Sequence, residues 1–284
     1  MLKSVIKYQY LKGAITMGKL VVIPNNKDEI NILSNKNITE FIIGVKDLSI
    51  YNFELGIEEI IELKKELNIN ITIAINKMIH NSDLDYVKKV LLKVKNTGIS
   101  ILFQDLGVFN IIKDLKLNNK LIIYGEHLNL SIGSNSFYKE QGINSTYISS
   151  DITYREINNI KDRTMMEVYY TVYGYLPIFY SRRRLLTNYF KYIDKDKEDD
   201  NYYIFDKDNK YMIKEKEYGT IIYSPLVNLI NEMDKIMNID NYVIDLSYTD
   251  DLSIIDKFIN NEKVDNTYTG FFDRETIFKL KEEE

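Results

Sequence analysis

From residue 20 onward, short β-branched runs alternate with amphipathic segments, and this alternation constrains the fold more than any other feature of the chain. Residues 20–23, 40–43, 70–75, 99–103, 121–124, 146–149 and 168–172 read as seven strands. Residues 27–34, 57–67, 83–94, 108–115, 136–141 and 152–160 read as the intervening helices. In 57–67, Ile57, Ile60, Ile61 and Leu67 recur at helical spacing, and in 83–94 Leu84, Val87, Leu91 and Val94 share one face, with Ser82 or Asp83 as the cap. Strands separated by helices pair in parallel, and residues 242–246 with a helix at 250–259 supply an eighth unit. The expected fold class is therefore α/β, a TIM-like (β/α) barrel of seven or eight units. A small β-rich insertion at about 190–224 precedes the last unit: a hairpin of 202–205 and 211–214 around the polar turn 208–210, then a strand at 217–223. The charge run 194–200 reads as a solvated loop. An open doubly wound sheet is the alternative, but its first turn would normally be Gly-rich. Here that turn is Pro24-Asn25-Asn26-Lys27, and neither GxGxxG nor GxxxxGK[ST] occurs, so a nucleotide cofactor held in that way is not expected. Residues 1–19 read as an N-terminal extension, with Met17 as an alternative start, and 20–284 as a single barrel domain.

Composition narrows the chemistry. The chain has no cysteine, which excludes disulfides, thiolate zinc sites, an iron–sulfur cluster held by its own thiolates and a cysteine nucleophile. A cysteine-free chain fits a reducing compartment, and a cytoplasmic location is expected. With 37 basic and 42 acidic residues the formal charge is -5, so any basic site must be local. No run of about 18 apolar residues suggests a membrane span. Lys3, Lys7 and Lys12 interrupt the N-terminus, which does not resemble a signal peptide.

In such a barrel the reactive face lies at the C-terminal ends of the strands. The sequence places Gly44, Asn76, Gln104, Asp105, Gly107, Gly125, Glu126, His127 and Gly174 there, with His80 four residues past Asn76. Asn76, His80, Asp105, Glu126 and His127 are the catalytic candidates, each with a structural alternative as cap, turn or core residue. Asp245, in an apolar strand, calls for a partner. No HExxH or GxSxG occurs, and no metal site is expected. The densest polar-aromatic stretch is YYTVYGYLPIFYSRRRLLTNYFKY, residues 169–192. Its Tyr173, Tyr180, Ser181, Arg182, Arg183, Arg184, Asn188 and Tyr189 combine guanidinium forks with stacking faces, a pattern suited to RNA or another anion. With 23 tyrosines in the chain, a core role for some of them is the competing reading.

These segments, in this order, resemble the collagenase-like peptidases (peptidase family U32) from Leu20 to the end. INITIAINKMIHNSDLDYVKKVL is similar to the family's third strand and Asn-x-x-x-His segment. ISILFQDLGVFNIIKDL is similar to the next strand and its Asp-x-Gly, here Asp105 and Gly107. ISSDITYREINNI resembles the run leading to a helical Glu, here Glu156. GYLPIFYSRRRLLTNY resembles the family signature, and TGFFDRETIFKL the close of shorter members. Two signature cysteines are replaced by Pro177 and Arg184, the expected carboxylate by Tyr169 and the expected His by Tyr173. The iron–sulfur cluster of cysteine-bearing relatives is therefore not carried over. The resemblance implies a part in tRNA modification, by hydroxylation of the wobble uridine with prephenate as co-substrate. It leaves two alternatives open: a collagenase-like protease, or a non-catalytic substrate-binding subunit of a longer, cysteine-bearing paralogue.

Overall fold

A computed structural model describes residues 18–125, 129–198, 201–207 and 209–274. In chain order the first half comprises β1 (Lys19–Ile23), α1 (Lys27–Leu33), β2 (Glu40–Val45), β3 (Glu54–Leu55), α2 (Ile57–Glu66), β4 (Asn70–Ile75), α3 (Leu84–Val94), β5 (Ser100–Phe103), α4 (Leu106–Asp114), β6 (Leu121–Tyr124), α5 (Ile132–Glu140), β7 (Ser145–Tyr147) and α6 (Tyr154–Thr164). The second half comprises β8 (Glu167–Gly174), β9 (Pro177–Ser181), α7 (Leu185–Tyr192), β10 (Asn201–Asp206), β11 (Asn209–Lys216), β12 (Gly219–Tyr223), β13 (Val227–Asn228), β14 (Asn241–Asp245) and α8 (Ser253–Asn260).

Among the described residues, β1, β2, β4, β5, β6, β7, β8 and β14 pair in parallel around a closed ring. β1 meets β14 over its whole length and β2 through Val21–Glu40 and Val22–Phe41. That closure excludes the open sheet. Strand alternation sorts the apolar residues into two cores. Val21, Ile23, Ile42, Ala74, Leu102 and Val243 fill the barrel, whereas Leu20, Val22, Phe41, Ile43, Ile73 and Ile244 face the helices. The helices start where the sequence supplies caps: Asn26 accepts from Glu29 N, Asp105 from Gly107 N and Thr153 from Glu156 N.

Polar residues close the bottom of the barrel. Glu40, at the start of β2, is buried. It accepts from Thr72 Oγ1 at 2.5 Å and from the Tyr169 hydroxyl at 3.0 Å, and Lys120 Nζ lies 2.6 Å from that hydroxyl. Glu167 sits beside them, 2.8 Å from Lys120 Nζ. Burial raises the Glu40 carboxyl above its ordinary value, against the pull of Thr72, Lys120 and Tyr169. The bottom face of this architecture carries stability.

The insertion is a four-stranded antiparallel sheet, β10-β11-β12-β9, plus α7. It begins at Pro177, not near residue 190. The sequence PIFYS pairs with β12, so the family-like signature supplies the sheet's last strand rather than a loop of the barrel. The segment 185–192 is helical, anchored by buried Glu215 of β11. Its carboxylate accepts from Leu186 N at 2.8 Å and Thr187 N at 3.1 Å, filling the place of a cap. The sheet lies over the C-terminal face of the barrel as a lid. Arg182 Nη1 reaches Met78 O at 3.2 Å and Asp83 Oδ2 at 3.3 Å, Tyr218 donates to Ile50 O at 3.3 Å, and Lys216 donates to Asn52 Oδ1 at 2.8 Å. Ile50, Tyr180, Met212, Ile221 and Tyr223 form a separate buried cluster beneath it.

Candidate active site

β14 ends at Asp245, level with Ile23 of β1, so its carboxyl belongs to the reactive face. The residue is 8% exposed, and burial pushes its carboxyl up to about 7 against hydrogen bonding from Ser247, whose N–H donates to Oδ1 at 2.8 Å. A buried acid with that proton affinity exchanges a proton near neutral pH.

Asp245 lies in a narrow cavity of about 30 Å³ with Tyr51, Tyr124, Tyr147, Thr171 and Asp151, roofed by Leu176 and Pro177. The Tyr147 hydroxyl and Thr171 Oγ1 are 2.7 Å apart, and the Tyr124 and Tyr147 rings are 5.1 Å apart. Tyr124 and Tyr147 are the last residues of β6 and β7, which places both rings at the rim of the barrel interior. Burial raises the Tyr147 hydroxyl well above the ordinary phenol value, so it stays a proton carrier.

Two backbone features of β8 shape this throat. Gly174 has φ +140°, and a Cβ there would stand 2.7 Å from Asp245 Cβ and 2.8 Å from Asp245 O. Only glycine lets the two strand ends approach so closely. One position earlier, the pairing of β14 with β8 slips between Val243–Thr171 and Ile244–Tyr173. Because of this bulge, Thr171 faces the throat while Val172 and Tyr173 both face the helices.

A wider cleft of about 1200 Å³ opens between residues 46–56 and the β11–β12 turn. Lys46, Lys77, Arg182, Lys214 and Lys216 line it together with acids. One of these, Glu54, is pushed up to about 7 by burial, opposing the hydrogen bond from Asp47 N and the charges of Lys216 and Lys77.

The sequence candidates fall in several places. Asn76 is fully buried one residue past β4. It accepts from Ser49 Oγ at 2.8 Å and Ile50 N at 3.1 Å, fixing the loop that supports the lid. His80 is exposed and donates its backbone N–H to Asp83. Asp105 caps α4 through a 2.6 Å bond from Gly107 N. Glu126 and His127 lie outside the described residues. Tyr173 is buried with its ring 6.5 Å from that of Phe258, and Tyr180 is buried beneath the lid, donating to Tyr218 O. Ser181 accepts from Arg183 N, and Arg182 ties the lid to the β4–α3 loop. Arg183, Arg184, Asn188 and Tyr189 are exposed around the start of α7, with Tyr189 56% exposed. Tyr51, Tyr124, Tyr147, Asp151 and Thr171 were not among the sequence candidates. The available signal was the position of Tyr124 and Tyr147, tyrosines that end two successive barrel strands; Tyr51, Asp151 and Thr171 carried none.

The fold and this mouth define a lidded parallel (β/α) barrel with an acidic, tyrosine-lined throat. The model of peptidase family U32 matches residues 28–242, and the chain belongs to that family. It is 25% identical over 246 residues to the tRNA hydroxylation protein P2 of Bacillus subtilis (strain 168), covering 80% of this chain and 79% of that one. The solved structure of the U32 peptidase Mk0906 has the same fold, with a TM-score of 0.51 at 7% identity, over 86% of this chain and 98% of that one. The residues do not fit a thiolate-held iron–sulfur cluster. The chain has no cysteine, and the two signature positions hold Pro177, in the throat, and Arg184, at the start of α7. Among the described residues, no helix is long and apolar enough to cross a membrane.

Proposed function

We propose that this protein acts in tRNA modification, hydroxylating the wobble uridine, with its chemistry at the barrel mouth around Asp245. The observation that carries this reading is the likeness to a tRNA hydroxylation protein over four fifths of both chains. The throat supports it chemically. Replacing a ring C–H by C–OH is a two-electron oxidation, so a co-reactant must supply the oxygen and take up the electrons. Within that reaction Asp245, with a carboxyl near neutrality, is suited to accept the proton that leaves the ring carbon. The paired hydroxyls of Tyr147 and Thr171 stand beside it in a throat with room for a water-sized group at the reacting edge, the ring itself remaining outside. Arg183, Arg184, Asn188 and Tyr189 contact the RNA from the exposed flank of the lid. The cleft bearing Lys46, Lys77 and Arg182 offers partners for the carboxylates of a small acid such as prephenate.

The test is nucleoside mass spectrometry of tRNA from a deletion strain, and from a double deletion that also removes any longer paralogue. Loss of 5-hydroxyuridine derivatives, restored by this chain, supports the reading. Unchanged derivatives in the double deletion reject it. A chain that restores them only when the cysteine-bearing paralogue is present acts as that paralogue's subunit.

A further inference from the structure

Residues 268–271 return across the C-terminal face of the barrel. Val227 and Tyr268 form a parallel bridge, and Asn228 N donates to Tyr268 O at 2.9 Å. Phe272 is fully buried, its ring 5.6 Å from Tyr154 and 6.3 Å from Tyr170. Gly270 takes φ +60°, and the turn leaves Phe271 on the rim, 47% exposed. Tyr211 of β11 and Ile178 of β9 stand on the lid side of the same opening.

Between these walls lies a cavity of about 440 Å³. Its inner wall is Ser150, Asp151 and Leu176, residues that also line the throat beside Asp245, so the two spaces adjoin across a shared wall. The size suits one ring system with its sugar and is far too small for folded RNA. Tyr211 and Tyr268 line the same opening, and the Tyr211 phenol lies close enough to disfavour ionisation of Tyr268, so aromatic side chains from the lid and from the C-terminal segment converge. Asp151 brings a carboxylate, which disfavours an anionic occupant and accepts from a ring N–H.

We propose that the slot formed by Tyr211, Tyr268 and Phe271 is a nucleobase subsite that takes a uracil ring turned out of its stack. The tyrosine and phenylalanine faces stack on the ring, and Asp151 accepts from the imide N–H, which cytosine lacks. The phosphates remain outside. This proposal rests on the reading of the chain as RNA-modifying, and assigns the uracil-recognising part of that site to residues 151, 211, 268 and 271.

The probes are fluorescein-labelled five-nucleotide oligouridylate, oligocytidylate, and an oligouridylate with an abasic centre, read by anisotropy with the whole protein. Removing one stacked base should weaken binding about tenfold. Phe271→Ala and Tyr211→Leu should weaken oligouridylate by a similar factor while leaving the abasic probe unchanged, and Asp151→Asn should erase the preference for uridylate over cytidylate. Phe271 is on the rim, so its truncation keeps the fold, which circular dichroism checks for all variants. Absence of binding by the native protein, or identical binding by Phe271→Ala and Tyr211→Leu, overturns the subsite. Deletion-strain tRNA separates the two readings. Full rescue of uridine hydroxylation by Phe271→Ala and Asp151→Asn rejects the subsite and keeps the function. Unchanged tRNA in the double deletion, with base-dependent binding lost in the variants, rejects the function and keeps the subsite.

Discussion

Replacing Asp245 by Asn should make the protein more stable at alkaline pH while removing its activity. The carboxyl rises from the ordinary aspartate value of 3.8 to about 7 because it is buried. For a raised acid, the folded state binds the proton more tightly than the unfolded chain. Stability is therefore greatest with the group protonated and falls as pH rises from 3.8 through about 7. At about 1.4 kcal/mol per tenfold change in proton affinity, the full loss above pH 7 is roughly 4 kcal/mol. Roughly 2.5 kcal/mol of it should accumulate between about pH 5 and about pH 8. Asparagine keeps an oxygen to accept from Ser247 N and never ionises. In urea unfolding, Asp245→Asn should thus exceed the native protein by about 1.5 kcal/mol near pH 5 and by roughly 4 kcal/mol at pH 8. Glu54 also titrates near neutrality, but it is present in both proteins and cancels in the difference. A stability difference that does not change between those two pH values would refute the reasoning.

Gly174→Ala should cost about 2–4 kcal/mol in the same assay, combining a left-handed φ with a Cβ driven into Asp245; a cost below about 0.5 kcal/mol would show that β8 does not need the close approach. Tyr169→Phe should lose about 1–3 kcal/mol of stability, because buried Glu40 loses a donor, yet leave tRNA hydroxylation intact. Changing Arg183 and Arg184 together to Ala should leave stability within about 0.5 kcal/mol, since both are exposed. The same change should weaken tRNA binding and lower the salt slope by about 2, read by filter binding across a salt series.

Strand periodicity made the barrel legible because each buried parallel strand is a nearly continuous apolar run, as in VVI at 21–23 and ILF at 101–103. Asp245 was legible as an acid in such a run. The throat was not, because it depends on which residues face inward at the strand ends. Thr171 and Tyr173 are two residues apart and should share a face, and only the bulge in β8 sends Tyr173 to the helices. The lid was legible as a hairpin, but PIFYS reads equally well as the tail of a barrel loop. What makes it a strand is its pairing with residues 220–223, some forty positions away. The same long-range pairing separates the polar-aromatic stretch into buried Tyr173 and Tyr180 on one side and exposed Arg183, Arg184 and Tyr189 on the other.

The most direct test of the central claim is the 5-hydroxyuridine content of tRNA from the double-deletion strain carrying either the native chain or Asp245→Asn at equal abundance. The native chain should restore the derivatives and Asp245→Asn should not, although it folds at least as stably. Equal restoration by both would contradict the placement of the chemistry at the barrel mouth.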